Sequence, residues 1–186
     1  LWDLKHWRKY GDAVNSAGTV LNQQSEPEKA LLEKVTNSID AVLTSECLSR
    51  GINPKNKSEA PNSMNEAVSK YFTDKTDDNY SQNSDLAEWE DRHLTNISKS
   101  YISLFVTGFG AQSVGGKPCI NLYDAGEGQT PSEFPNTFFS LANDNKMKIF
   151  FVQGKFNMGG SVALTFFENY LQLLVSPRNI YVLEHF

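Results

Sequence analysis

The run 31–43, LLEKVTNSIDAVL, sets a glutamate, an asparagine and an aspartate into an otherwise largely apolar stretch. A carboxylate can take a proton from water, and a carboxamide oxygen is a hard donor suited to a hydrated divalent cation. If the run is helical, at about 100° per residue, Glu33, Asn37 and Asp40 gather within a band of roughly 60°. Leu31, Leu32, Val35, Ile39, Val42 and Leu43 then fall on the opposite arc. A solvated face is the ordinary explanation of such a stripe. Against it, Glu33 is followed four residues on by Asn37, where a water-facing helix usually places a lysine to pair with it.

Two further stretches carry chemistry. In DAGEGQTP, Asp124 is followed by Gly126, Gly128 and Thr130. A carboxylate fixed at a strand end can accept a hydrogen bond from an exocyclic amine such as that of adenine, and a glycine lets a flat ring approach the backbone. A tight turn explains the same letters equally well. In GKFNMGGSVAL, Gly154, Gly159 and Gly160 precede an apolar run of helical type. Backbone N–H groups and a positive helix end there can face an anion, although a flexible loop is the plainer reading.

The elements that must position these residues are legible in outline. Ser25, Pro27 and Glu28 match a capping-box start for a helix through the polar stripe. YISLFVTGF (101–109) and PCINLYDAG (118–126) are β-branched and aromatic runs parted by the turn-rich GAQSVGGK, which predicts an antiparallel pair. Thr130, Pro131 and Glu133 predict a second capped helix start. KIFFV (148–152) reads as a short strand or a buried lid segment, SVALTFFEN (161–169) as a helix, and YLQLLVSPRNIYVL (170–183) as a closing hairpin. Between them, 46–99 is poor in aliphatics and rich in Asn, Asp, Ser and Lys, the texture of a surface insertion with two short helices near 64–72 and 85–96.

A chain of 186 residues with 12 phenylalanines fits one folded domain, and no apolar run is long enough to span a bilayer. Cys47 and Cys119 form no CxxC, and His6, His93 and His185 are scattered, so neither a disulfide framework nor a transition-metal site is expected. Two reduced thiols in a cytoplasmic protein is the expectation. The net charge of -5 argues against a dedicated nucleic-acid surface.

In order and company, EKVTNSIDA, DAGEGQTP and GKFNMGG resemble the N box, first glycine box and second glycine box of the GHKL superfamily of ATPases, the Bergerat-fold group. The likeness covers most of the chain outside 46–99. Histidine kinases of the superfamily generally lack the glutamate four residues before the asparagine, so Glu33 places the resemblance with the hydrolysing branch. GQTP is most similar to MORC-like and heat-shock-chaperone-like bacterial ATPases, some of them associated with restriction and antiphage systems.

The resemblance implies an α+β fold, a two-layer α/β sandwich whose mixed, mostly antiparallel sheet is covered by helices on one face. It implies a single domain over 1–186, with an ATP lid at 129–160. ATP and Mg²⁺ are the implied cofactors. Glu33 would orient and deprotonate the attacking water, and Asn37 would give its side-chain oxygen to Mg²⁺. Asp40, in a supporting role, and Ala41 would line the pocket near the sugar or base. Asp124 would take the adenine amino group, with Gly126 and Gly128 allowing the base to approach and Thr130 as a pocket contact or only a cap. The backbone of Lys155, Phe156, Asn157, Met158, Gly159 and Gly160 would wrap the phosphates. Asn157 stands where many relatives have glycine and Val162 follows Ser161, so weaker phosphate binding or a different lid closure is expected. Many relatives take a lysine or arginine to the γ-phosphate from a following domain, so hydrolysis by this stretch alone is expected to be slow. An ATP-dependent homodimer within a larger protein is the implied assembly. LWDLKHWRKYG at the start reads as an exchanged arm or as packing on the domain's own core, and Lys146 and Lys155 as phosphate contacts or plain solvated lysines. The alternative to an ATPase is a nucleotide-gated binding module with little turnover.

Overall fold

The structure is a computed structural model that describes residues 26–72, 99–108, 118–133, 137, 148–154, 166 and 173–176. Their element order is helix α1 (Pro27–Ser49), helix α2 (Met64–Phe72), strand β1 (Ile102–Thr107) and strand β2 (Cys119–Asp124). The described part is therefore a mixed helix and strand fold with a two-stranded antiparallel sheet. No helix among the described residues is long and apolar enough to cross a membrane.

Helix α1 starts one residue later than its capping-box pattern predicts. Glu26 is the N-cap, with extended backbone and no side-chain cap bond, and Pro27 takes the first helical position. Proline is suited there because its missing N–H is one that a helix start leaves unpaired, and its fixed φ is already helical. Ser25 lies outside the described residues. The apolar arc is buried only from the helix midpoint onward. Leu32 is 62% exposed, whereas Val42 and Leu43 are buried. Burial on the polar side is as deep, since Ser38, Asp40, Thr44 and Ser45 are all enclosed.

Two more expectations are corrected. The first part of 46–99 is not a surface insertion: Cys47, Ala60, Ala67 and Tyr71 join Leu43, Ile149, Phe151 and Val152 in one buried cluster. Ile52, Met64, Val68 and Phe72 pack against it. Helix α2 occupies 64–72 as expected and turns Ala67 and Tyr71 inward. Arg50 ties the ends of the two helices by donating to the Tyr71 carbonyl at 3.1 Å, with its guanidinium 4.6 Å from the Tyr71 ring. Beneath it the Cys47 thiol donates to the Ile52 carbonyl, and burial pushes its pKa up. Both cysteines are free thiols. Second, of the two readings of 148–152 the strand does not form: the segment makes turns and loop and buries Ile149, Phe151 and Val152. The helix expected at 85–96 lies outside the described residues.

The expected strand pair forms, with Ile102 opposite Asp124 and Thr107 opposite Cys119. Alternation puts Ile102, Leu104, Val106, Ile120, Leu122 and Asp124 on one face. Helix α1 meets this face at the Asp124 end, through Ser38. At the far end Leu104, Val106 and Ile120 remain 48%, 46% and 42% exposed.

Candidate functional site

The end of β2 is fixed to α1 by the carboxylate of Asp124. Its Oδ2 accepts from the Ser38 hydroxyl at 2.9 Å, and its Oδ1 from the Gly126 N–H at 3.1 Å. A carboxylate oxygen has two acceptor directions, so each still has capacity for a further donor. Gly126 is required by packing against the helix. A Cβ there would stand 2.5 Å from the Ala41 Cβ and 2.8 Å from Asp124 Oδ1. Gly128 holds φ at 65, a left-handed conformation that glycine adopts without strain.

Two residues on from Ser38, and about 160° around the same helix, Asp40 does for the entrance of the second glycine-rich stretch what Ser38 does for the first. It is fully buried, with Oδ1 accepting from the Gln153 N–H and Oδ2 from the Gly154 N–H, each at 2.8 Å. Sequence reasoning places Asp40 beside the sugar or base in a supporting role; the support it gives is to the backbone at the entrance of that stretch. Gly154 packs against the stripe itself. A Cβ on it would meet Asn37 Oδ1 at 2.5 Å and Asp40 Oδ2 at 3.1 Å.

The polar side chains of α1 thus divide their labour. Ser38 and Asp40 spend their oxygens on structure, while Glu33 and Asn37 are half-buried and make no side-chain hydrogen bond among the described residues. Four residues apart, they share one helix face. Beside them, burial pushes the pKa of Lys34 down to about 8.

At the other end of the first glycine stretch, Thr130 acts as a turn cap. Its N–H and hydroxyl both donate to Glu133 Oε2, at 2.7 and 2.9 Å, and the Glu133 N–H donates to the Thr130 carbonyl at 3.0 Å. Residues 131–133 form a turn. The Gln129 N–H donates to the Ser176 hydroxyl at 2.9 Å, which brings part of the expected closing hairpin to this site.

Of the expected site residues, the structure brings Asn37, Asp40, Ala41, Asp124 and Gly126 together, with Gly128 and Thr130 following in the same stretch. Ser38, Gly154 and Ser176 are the additions. Ser38 was detectable as a small hydroxyl flanking the polar stripe, whereas nothing in the sequence tied Ser176 to Gln129. Lys155, Phe156, Asn157, Met158, Gly159 and Gly160 lie outside the described residues, as do Lys146, most of 161–169 and most of 170–183.

A divalent cation can be tested against this geometry. Among the described residues no three His, Cys, Asp or Glu groups converge, so a protein-built cage is not what the site offers there. What it offers is one amide oxygen, Asn37 Oδ1, packed so closely against Gly154 that a Cβ there would stand 2.5 Å from it. That fits a small hard ion that keeps most of its waters and takes few protein ligands. Compared with family models, with curated proteins and with solved structures, the chain gives no match to any of them.

Proposed function

We propose that this chain is a Mg²⁺-dependent ATP-binding and hydrolysing module of the GHKL type, built on a Bergerat-like two-layer sandwich. The observation that supports the reading is that, on one side of α1, the first glycine stretch and the entrance of the second, at Gln153 and Gly154, are both held by side chains of the helix that carries the N-box-like run. Ser38 holds the first glycine stretch through Asp124, and Asp40 holds the entrance of the second through Gln153 and Gly154. In a chance resemblance, the segments have no reason to converge.

The roles follow from which atoms remain available. Asp124, oriented by Ser38 and the Gly126 N–H, presents its remaining lone pairs to an exocyclic amine, which selects adenine. Asn37 Oδ1 holds the cation, which when bound neutralises phosphate charge. Glu33, one turn away, orients water and accepts its proton. Nucleotide binding would close the 129–160 lid and favour pairing with a second copy.

Calorimetric titration with ATP and magnesium, alongside a phosphate-release assay, tests the whole reading. Glu33→Ala is expected to keep ATP affinity near wild type and to lower turnover by about a hundredfold or more, the scale of a lost general base. Equal turnover in the variant removes the base assignment, and absence of ATP binding by the unaltered chain removes the function. ATP binding with no phosphate release even in the unaltered chain identifies a nucleotide-gated module.

A further inference from the structure

Gly154 is not among the residues that the motif resemblance assigns a ligand role, yet its surroundings are the most constrained in the site. Its N–H is held at 2.8 Å by Asp40 Oδ2, and the preceding N–H, of Gln153, by the other oxygen of the same carboxylate. Asp40 is completely buried on a helix interior, so this pair of bonds fixes the backbone of 153–154 relative to α1. A Cβ at 154 would come within 2.5 Å of Asn37 Oδ1. Contacts that short do not persist, so something must move. The 154 backbone is tethered and the helix backbone at 37 is in mid-element; the freest part is the Asn37 carboxamide, which turns about two side-chain torsions.

We propose that Gly154 is a positioning residue for the cation. The bare Cα, clamped by Asp40, packs against Asn37 Oδ1 without displacing it, so that the carboxamide stays where it could hold a hydrated Mg²⁺. The inference rests on the nucleotide reading above and deepens it. It makes Asp40, Gly154 and Asn37 one unit whose output is metal affinity, separate from the Ser38 and Asp124 unit that addresses the base. Groups that orient a metal ligand from behind typically matter for affinity by about 10–100-fold.

The two units can be separated by titrating ADP into the full chain, once with Mg²⁺ and once with a chelator. In the unaltered protein, Mg²⁺ tightens ADP binding. In Gly154→Ala that tightening is expected to shrink by about tenfold, a larger change than any in metal-free ADP affinity. Asp40→Asn keeps the shape of the clamp but turns one acceptor into a donor facing an N–H, and it is expected to shrink the Mg²⁺ effect in the same direction. With no nucleotide present, the Asn37 side-chain amide resonances should shift in Gly154→Ala. An unchanged Mg²⁺ effect in both variants overturns the proposal. So does a parallel loss of metal-free affinity, which would mark general damage to the pocket. If the unaltered chain binds ADP in neither condition, the nucleotide reading itself fails and takes this inference with it.

Discussion

Ser38 and Asp124 are 86 positions apart and meet through a single hydrogen bond. Removing the hydroxyl with Ser38→Ala leaves Asp124 oriented only by the Gly126 N–H. A bond to an ionised acceptor contributes about 1.5–3 kcal/mol when buried, and less where the carboxylate is solvated, as Asp124 is. The expected result is a loss of adenine-nucleotide affinity of a few-fold, worth roughly 1 kcal/mol, with the Mg²⁺ effect intact; calorimetry of ATP against GTP reads it as reduced base preference. At this scale the sequence revealed residue types better than residue jobs. Asn37 stands out because no lysine pairs with Glu33 at its position, and Asp124 because two glycines follow it closely at a strand end. The task of Asp40 was hidden, because its partners are backbone amides more than a hundred positions away and a backbone amide has no letter. Gly126 was legible as a point of close approach, although the object that approaches in the structure is Ala41.

Helix α1 shows what periodicity can and cannot supply. Its start, marked by Pro27 to within one residue, and its division into an apolar arc and a polar stripe follow from spacing, whereas its last turn, to Ser49, runs into the stretch read as an insertion. Which side is buried does not follow, because Gly126 and Gly154 both pack against the side away from the apolar arc. Lys34 on the same helix is desolvated by burial. Desolvation lowers its pKa to about 8 from 10.5. Below pH 8 the ammonium is charged in folded and unfolded chains alike, and folding bears the full cost of burying it. Between pH 8 and 10.5 the unfolded chain binds more protons at this site, so this contribution to stability rises with pH, and above 10.5 the cost is gone. Lys34→Met should therefore raise the melting temperature at pH 7 and flatten the wild-type rise across that window. A variant that melts lower than wild type at pH 7, with the same pH slope, would show that the lysine is not desolvated.

On the larger scale, among the described residues one cluster joins α1, α2 and the 149–152 turn, and Phe151 is its largest fully buried side chain. Phe151→Ala is expected to cost about 3–5 kcal/mol, read as a lower urea midpoint with loss of cooperativity if the two helices separate. The strand pair was legible in its alternating residues and its intervening turn. The core role of 50–72 was not, because Ala60, Ala67 and Tyr71 are sparse among polar neighbours and an average over the segment conceals them. The clamp at Asp40 has one more implication, for the order of events during synthesis. The carboxylate leaves the ribosome 113 positions before its first amide partner, the Gln153 N–H. Until that partner arrives, enclosing Asp40 would strand an ionised group in a low-dielectric interior. The nascent helix must keep this flank wet, and the Asp40 side of α1 can close only after residues 153 and 154 have been made.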